Sequence, residues 1–225
     1  MFRVLVFDLD GTLVDSRRDI AESANELLAT LGAPPLDHDE VIRMVGEGAR
    51  LLVTRVLAAA GTRFDLDAAY ARFSVIYERR LADHTRPYPG VVAGLERLAD
   101  HYTLAVLTNK PQHHTDKLLD ALDLRRYVVQ VVGGDTAHGR KPDPAGLLTI
   151  ATAAGAAPAS TLLVGDSWVD VETARRAGTA VCFAEYGFGA APRDGFREGE
   201  HRIASFDRLA DVLGVPSWAA ATPGR

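Results

Sequence analysis

The sequence predicts an α/β fold, a parallel sheet flanked by helices, whose first strand is separated from the others by an all-helical insertion. Three observations carry this prediction. Val4 to Phe7 is short and wholly apolar, the pattern of a strand buried on both faces. From Thr103 onward, apolar strand-like runs alternate with helical patterns, which implies right-handed crossovers between parallel strands. Between Val14 and Tyr88 no strand pattern appears.

In chain order, Asp19 to Leu31 reads as an amphipathic helix with Ile20, Ala24, Leu27, Leu28 and Leu31 on one face and Gly32 as its stop. Pro34-Pro35 breaks the chain, and Asp37 or Asp39 can cap a helix over Glu40 to Val45. Gly46-Glu47-Gly48 is a turn. Helices over Ala49 to Ala60 and Leu66 to Ala82 follow, and Pro87-Tyr88-Pro89-Gly90 is the stiff turn that ends the insertion. The alternating half then gives helices over Val91 to Ala99, His114 to Leu122, Pro144 to Ala154 and Val169 to Ala177. Its strands are Thr103 to Leu107, Val128 to Val132, Thr161 to Val164 and Thr179 to Phe183. Ser205 to Leu213 reads as a closing helix, and Ser217 to Arg225, rich in Ala and Pro, is expected to fray. The expected layout is a Rossmann-like parallel sheet core over residues 1–14 and 88–216, an inserted all-helical cap over 15–87, and a flexible tail over 217–225.

The composition is that of a soluble globular chain of 225 residues, with 47% hydrophobic and 24% charged residues. A net charge of −5 argues against nucleic acid as the main partner. Cys182 is the single cysteine, which excludes an internal disulfide framework and fits a reducing compartment. No charged-then-apolar leader precedes Asp8, and no apolar run is long enough to span a bilayer. The expectation is a cytoplasmic protein with no membrane partner. No sequence pattern sets an oligomeric state. Lysine is scarce, confined to Lys110, Lys117 and Lys141.

In an open α/β sheet the ligand crevice lies beyond the carboxyl ends of the strands. The first strand ends in Asp8-Leu9-Asp10-Gly11-Thr12, and side chains at i and i+2 leave an extended backbone on one side. Two like charges facing one small volume need a cation, a shared proton or both. The next strand end supplies Thr108, Asn109 and Lys110, all able to donate hydrogen bonds to an anion. Then come Gly133-Gly134-Asp135 with Arg140-Lys141-Pro142-Asp143-Pro144, and after the following strand Gly165, Asp166, Ser167 and Asp170.

These groups suit phosphoryl transfer. Mg²⁺ takes carboxylate and carbonyl oxygens, so Asp8, Asp166 and the backbone near Asp10 are candidate ligands. A carboxylate nucleophile forms an acyl phosphate that water then hydrolyses, and a second acid protonates the leaving alkoxide. Thr108, Asn109 and Lys141 are the expected holders of the phosphate oxygens.

The four segments, Asp8-Leu9-Asp10-Gly11-Thr12, Leu107-Thr108-Asn109, Lys141-Pro142 and Gly165-Asp166-Ser167 with Asp170, resemble the haloacid dehalogenase superfamily of phosphatases in type and order. The insertion resembles that superfamily's C1-type cap. Within it, Pro89-Gly90-Val91, Thr108-Asn109-Lys110-Pro111, Gly133-Gly134-Asp135-Thr136 and Lys141-Pro142-Asp143-Pro144 are most similar to the bacterial phosphoglycolate phosphatase group. The resemblance implies Asp8 as nucleophile, Asp10 as general acid/base and Lys141 as the charge-neutralising residue. It implies Mg²⁺ organised by Asp8, Asp10, Asp166 and Asp170, and a small phosphorylated metabolite, 2-phosphoglycolate, as substrate. A phosphosugar phosphatase or mutase shares both aspartates and stays open, as does, from another class, a catalytically silent binding module. A dehalogenase lacks the second aspartate, and a phosphonate-cleaving relative needs a cap lysine that residues 15–86 do not contain.

Plainer readings apply to single residues. Asp170 can also be read as an ordinary first-turn acid favoured by the helix dipole, and Asp135 as a loop residue. Arg140 and Arg50 read as surface residues, Cys182 as core and His113-His114 as solvent-facing. Trp168 has no assigned role, although its bulk could narrow the site.

Overall fold

A computed structural model describes residues 1–218. The elements, in chain order, begin with β1 (Val4–Phe7) and β2 (Val14–Asp15). The helical stretch is α1 (Arg17–Thr30), α2 (His38–Ile42), α3 (Ala49–Ala59) and α4 (Leu66–Arg80). After β3 (Arg86–Pro87) come α5 (Val91–Ala99), β4 (Thr103–Leu107), α6 (Gln112–Ala121), β5 (Gln130–Val132) and α7 (Ala145–Ala153). The chain ends with β6 (Thr161–Gly165), α8 (Trp168–Ala177), β7 (Ala180–Ala184), β8 (His201–Ile203) and α9 (Leu209–Leu213).

Six strands form one sheet in the order β5-β4-β1-β6-β7-β8, every pair parallel. The apolar runs are explained by burial on both faces. Leu5, Phe7, Leu104, Val106, Leu162 and Val164 join one cluster with Val91, Leu95, Leu118 and Leu209 from α5, α6 and α9. Their neighbours Val4, Val6, Ala105, Leu107 and Leu163 join a second cluster with Leu147, Ile150, Val171 and Ala174 from α7 and α8. The result is a three-layer α/β/α core with β1 at the centre of the sheet. Because the strands are parallel, β1, β4, β5 and β6 all deliver their following loops to one edge.

The cap is helical, as the sequence predicts. α1 buries Ile20, Ala21, Ala24, Leu27 and Leu28 at helical spacing and packs on α2 and α4. Asp37 and Asp65 cap α2 and α4 through their side chains. The stretch is not strand-free: β2 and β3 pair antiparallel, Val14 with Pro87 and Asp15 with Arg86. Two-residue strands are too short to show a period. Beside this ribbon, the wholly buried Asp19 accepts hydrogen bonds from the backbone of His84 and Thr85 and from the Thr85 hydroxyl, at 2.6 to 3.1 Å. One carboxylate thus fixes the chain where it leaves the cap.

Other boundaries shift. β8 is short and half polar, so no run announced it. The predicted closing helix is a 3₁₀ turn over Phe206–Arg208 followed by α9. The tail expected to fray starts differently, because Trp218 is buried against Phe206, with ring centroids 6.0 Å apart. The remainder of that tail, residues 219–225, lies outside the described residues. Among the described residues, no helix is long and apolar enough to cross a membrane.

Candidate active site

The loop after β1 is a tight turn in which the Leu9 carbonyl accepts from the amides of Thr12, Leu13 and Val14. Gly11 has φ +89°, and a Cβ there would stand 2.0 Å from Asp166 Oδ2. A side chain at this position is therefore excluded both by conformation and by the carboxylate beside it.

Asp8, Asp166 and Asp170 each bring a carboxylate oxygen into one group, all within 4.8 Å of one another, and all three are buried. Lys141 is threaded among them, with Nζ 2.9 Å from Asp8 Oδ1 and 2.6 Å from Asp170 Oδ1. Burial opposes the charge of Lys141, but Asp170 and Asp8 outweigh it and raise its pKa, so the lysine stays protonated. Asp8 is pushed up to about 6, chiefly by burial, against the pull of Lys141. Asp166 is pushed up to about 8 by burial and then by its two acidic neighbours. Two carboxylates raised this far mark a place short of positive charge.

Asp166 is held from behind. Its Oδ2 accepts from the backbone amides of Phe188 and Gly189, at 2.9 and 2.7 Å, and the Thr12 hydroxyl lies 3.4 Å from Oδ1. Asp170 is occupied on both sides. Its Oδ1 takes Lys141, and its Oδ2 closes a capping box at the start of α8 with the amide and hydroxyl of Ser167. The plain expectation of a first-turn acid is therefore correct as far as it goes, and the lysine contact adds to it. With both oxygens engaged, Asp170 stands in the cluster as the anchor of Lys141.

The Asp10 side chain, expected among the metal ligands, lies outside that cluster. Its Oδ1 accepts from the Ser16 hydroxyl at 2.6 Å, and both of its oxygens accept from Lys110 Nζ, at 3.0 and 2.9 Å. Lys110 is buried and spends its remaining hydrogen bond on the Tyr77 hydroxyl of cap helix α4, at 2.6 Å. Burial disfavours its charge, but Asp10 and Tyr77 outweigh that and raise its pKa.

Thr108 is buried with its hydroxyl oxygen accepting from the Lys110 amide, which leaves the hydroxyl hydrogen to donate. Asn109 departs from the expectation that it holds phosphate. Both of its amide hydrogens go to backbone carbonyls, Gly46 of the cap loop and Lys141 of the core, each at 3.0 Å. It ties the cap loop to the core where the two loops pass.

The cap closes over these groups. Ile20, Val45, Ala49, Leu52, Phe73 and Tyr77 face Asp8, Asp10, Thr108, Lys110 and Asp166 across a cavity of about 60 Å³. That is room for only a few water molecules. Glu78, next to Tyr77, also bonds across the gap to His113 and Lys117 of α6.

The remaining candidates settle as follows. His114 is not solvent-facing; it is 5% exposed, lines the cavity and meets the Tyr77 ring edge-on. Burial, and then Lys110, pull its pKa down to about 4, so it is neutral near pH 7. His113 alone points outward, because Thr115, Leu118 and Leu119 set the buried face of α6. Asp135 caps the Gln112 amide, as expected of a loop residue. Arg50 is exposed and paired with Asp67. Cys182 is core. Trp168 opens α8, donates its amide to the Ala190 carbonyl, and faces an outer groove with Arg43 and Arg55 rather than the cavity.

Lys110 is the residue that sequence reasoning undervalued. The signal was available, since it is one of three lysines in the chain and follows a strand end. Nothing local, however, connects it with Asp10, a hundred residues earlier.

A parallel sheet that gathers three carboxylates and a buried lysine at one edge, under a helical lid, defines an aspartate-centred hydrolase of the capped α/β class. The chain belongs to the haloacid dehalogenase-like hydrolase family, whose model matches residues 5–184. It is 40% identical over 227 residues to a phosphoglycolate phosphatase of Rhodospirillum rubrum, covering 96% of this chain and 92% of that one. It is 37% identical over 222 residues to a phosphoglycolate phosphatase of Agrobacterium fabrum, covering 97% and 90%. Among solved structures, a protein of Haemophilus somnus described as a predicted phosphoglycolate phosphatase superposes with a TM-score of 0.87 at 30% identity, covering 94% of this chain and 98% of that one.

Proposed function

We propose that this chain is a Mg²⁺-dependent phosphomonoester hydrolase that converts 2-phosphoglycolate to glycolate and phosphate through an aspartyl-phosphate on Asp8. One observation carries the reading: Asp8 is placed with Lys141, Asp166 and Asp170 on one side and a separately tethered Asp10 on the other. The two acids of the first motif are thereby set apart in role.

The donor set fits Mg²⁺. Its oxygens are hard carboxylates, the three acids Asp8, Asp166 and Asp170 are buried together with one ammonium, that of Lys141, among them, and burial holds the pKa values of Asp8 and Asp166 high enough to call for a cation. Asp8 and Asp166 would hold it, with Asp170 behind them. When bound, the metal screens the attacking carboxylate from the phosphate dianion and stabilises the charge in transit.

The chain's own residues do the rest. Asp8 attacks phosphorus and becomes the mixed anhydride as the ester oxygen leaves. Lys141, charged and fixed by Asp170, stabilises the equatorial phosphate oxygens, and the Thr108 hydroxyl donates to the same group. Asp10 gives its proton to the leaving oxygen and takes one from the water that then attacks the acyl phosphate. Asn109 joins the cap loop to the core so that the apolar cap wall excludes other water.

Size together with the relatives supports the substrate. A cavity this small with the cap closed favours a two- or three-carbon ester over a hexose phosphate, and the aligned proteins from Rhodospirillum rubrum and Agrobacterium fabrum are phosphoglycolate phosphatases. A cytoplasmic setting belongs to the same proposal. The test is phosphate release with Mg²⁺ across small phosphate esters, hexose phosphates included. Phosphoglycolate is expected to give the highest kcat/KM, and a hexose phosphate in first place would refute the substrate assignment.

A further inference from the structure

The cavity is short of positive charge on its leaving-group side. Three carboxylates line it, those of Asp8, Asp10 and Asp166. Lys141 is drawn behind Asp8 toward Asp170, and His114 is neutral near pH 7. The cap contributes apolar wall, and its nearby arginines are already matched: Arg50 by Asp67, Arg55 by Glu47 and Arg80 by Glu26. Among the described residues, Lys110 is the only cationic side chain that lines the cavity.

Its position is specific. Nζ lies within 3.0 Å of both oxygens of Asp10 and 2.6 Å from the Tyr77 hydroxyl. Asp10 keeps a second donor, the Ser16 hydroxyl. Lys110 can therefore release one Asp10 oxygen without leaving that carboxylate unheld. In P–O–CH₂–COO⁻, the carboxylate is one methylene from the oxygen that Asp10 protonates. A cation touching Asp10 is a cation beside that carboxylate.

We propose that Lys110 determines leaving-group specificity: it binds an anionic substituent one methylene from the ester oxygen, so that the site selects short carboxylated phosphate esters over neutral ones of equal size. This rests on the phosphatase reading above. Tyr77 belongs to the cap, so the lysine has this third partner only with the lid over the site. A neutral alcohol gives Lys110 no new partner, and its polar atoms would face the apolar wall of the cap unpaired.

The test compares 2-phosphoglycolate with ethyl phosphate, the same carbon chain without the carboxylate, using the full chain with Mg²⁺. The wild type is expected to prefer phosphoglycolate. In Lys110→Met that preference should fall about 30-fold or more, mainly through phosphoglycolate, and Lys110→Arg should retain part of it. An equal loss on both esters would mean that the lysine serves Asp10 alone and would overturn the proposal. The wild-type comparison decides the matter even where Lys110→Met fails to fold: equal kcat/KM for the two esters overturns the specificity role while leaving the phosphatase reading intact. Turnover of neither ester would overturn the phosphatase reading itself, and this inference with it.

Discussion

Lys141 reaches Asp170 at 2.6 Å, and with its other side it meets Asp8 at 2.9 Å. The first acid of the opening motif and the last acid of the closing one are thus joined by a single ammonium group. Lys141 keeps Asp8 when Asp170 is neutralised, so what is lost is the charge-assisted hydrogen bond that fixes the lysine and one half of the capping box. Asp170→Asn is therefore expected to cost about 2 kcal/mol of stability, read by urea unfolding, and to lower kcat at least tenfold. The apparent Mg²⁺ affinity should change less than in Asp166→Asn. Equal losses of affinity in the two variants would make Asp170 a direct ligand instead.

Asp8→Asn should fold as the wild type does, by circular dichroism, and release no phosphate. Asp10→Asn should slow alkyl esters far more than activated aryl phosphates, since an aryl oxide departs without a proton. Matching losses on both ester types would remove Asp10 from the acid role.

Metal affinity should depend on pH in a stated direction. With Asp166 pushed up to about 8 and Asp8 to about 6, protons compete with the cation below those values. Apparent Mg²⁺ affinity should rise by about tenfold per pH unit as pH approaches 8. The same shifts set metal-free stability. A carboxyl whose folded pKa is raised holds its proton more tightly in the folded state, so stability present below pH 4 is lost as pH climbs through 6 and 8. In EDTA the unfolding midpoint should fall over that range by the equivalent of a few kcal/mol, and Mg²⁺ should restore it. Thermal scans at pH 5 and pH 8 check both signs.

Asn109→Ala removes the two hydrogen bonds that tie the Gly46 and Lys141 carbonyls together. The cap loop should become more open to proteolysis, and KM should rise several-fold. If limited proteolysis of this loop is unchanged, Asn109 does not hold the lid.

Much of this arrangement is legible in the sequence because parallel sheets put their polar residues in one place. Once β1, β4 and β6 are read as buried strands, Asp8, Thr108 and Asp166 must lie at a common edge, whatever separates them in the chain. What the sequence conceals are side-chain directions decided by partners far along the chain. His113 and His114 look alike as letters, and only the packing of α6 on Tyr77 buries the second. Asn109 looks like a phosphate donor until two carbonyls from other loops claim its hydrogens. Asp19 stands in the first turn of α1, and nothing near it in the sequence announces the backbone amides of His84 and Thr85 that make it a buried acceptor. Lys110 reads as one more donor at a strand end, and its contact with Asp10 exists only because β4 lies beside β1.

The ribbon of Val14-Asp15 with Arg86-Pro87 has a further consequence. The polypeptide leaves the core and returns to it through adjacent positions in a single antiparallel pair. Cutting out the helices between would leave two ends already side by side, within reach of a tight turn, with the sheet and its register untouched. The helical lid is therefore interchangeable in principle: a lineage, or an engineer, could exchange the wall above the cavity while the core that carries Asp8, Asp10 and Lys110 stays as it is.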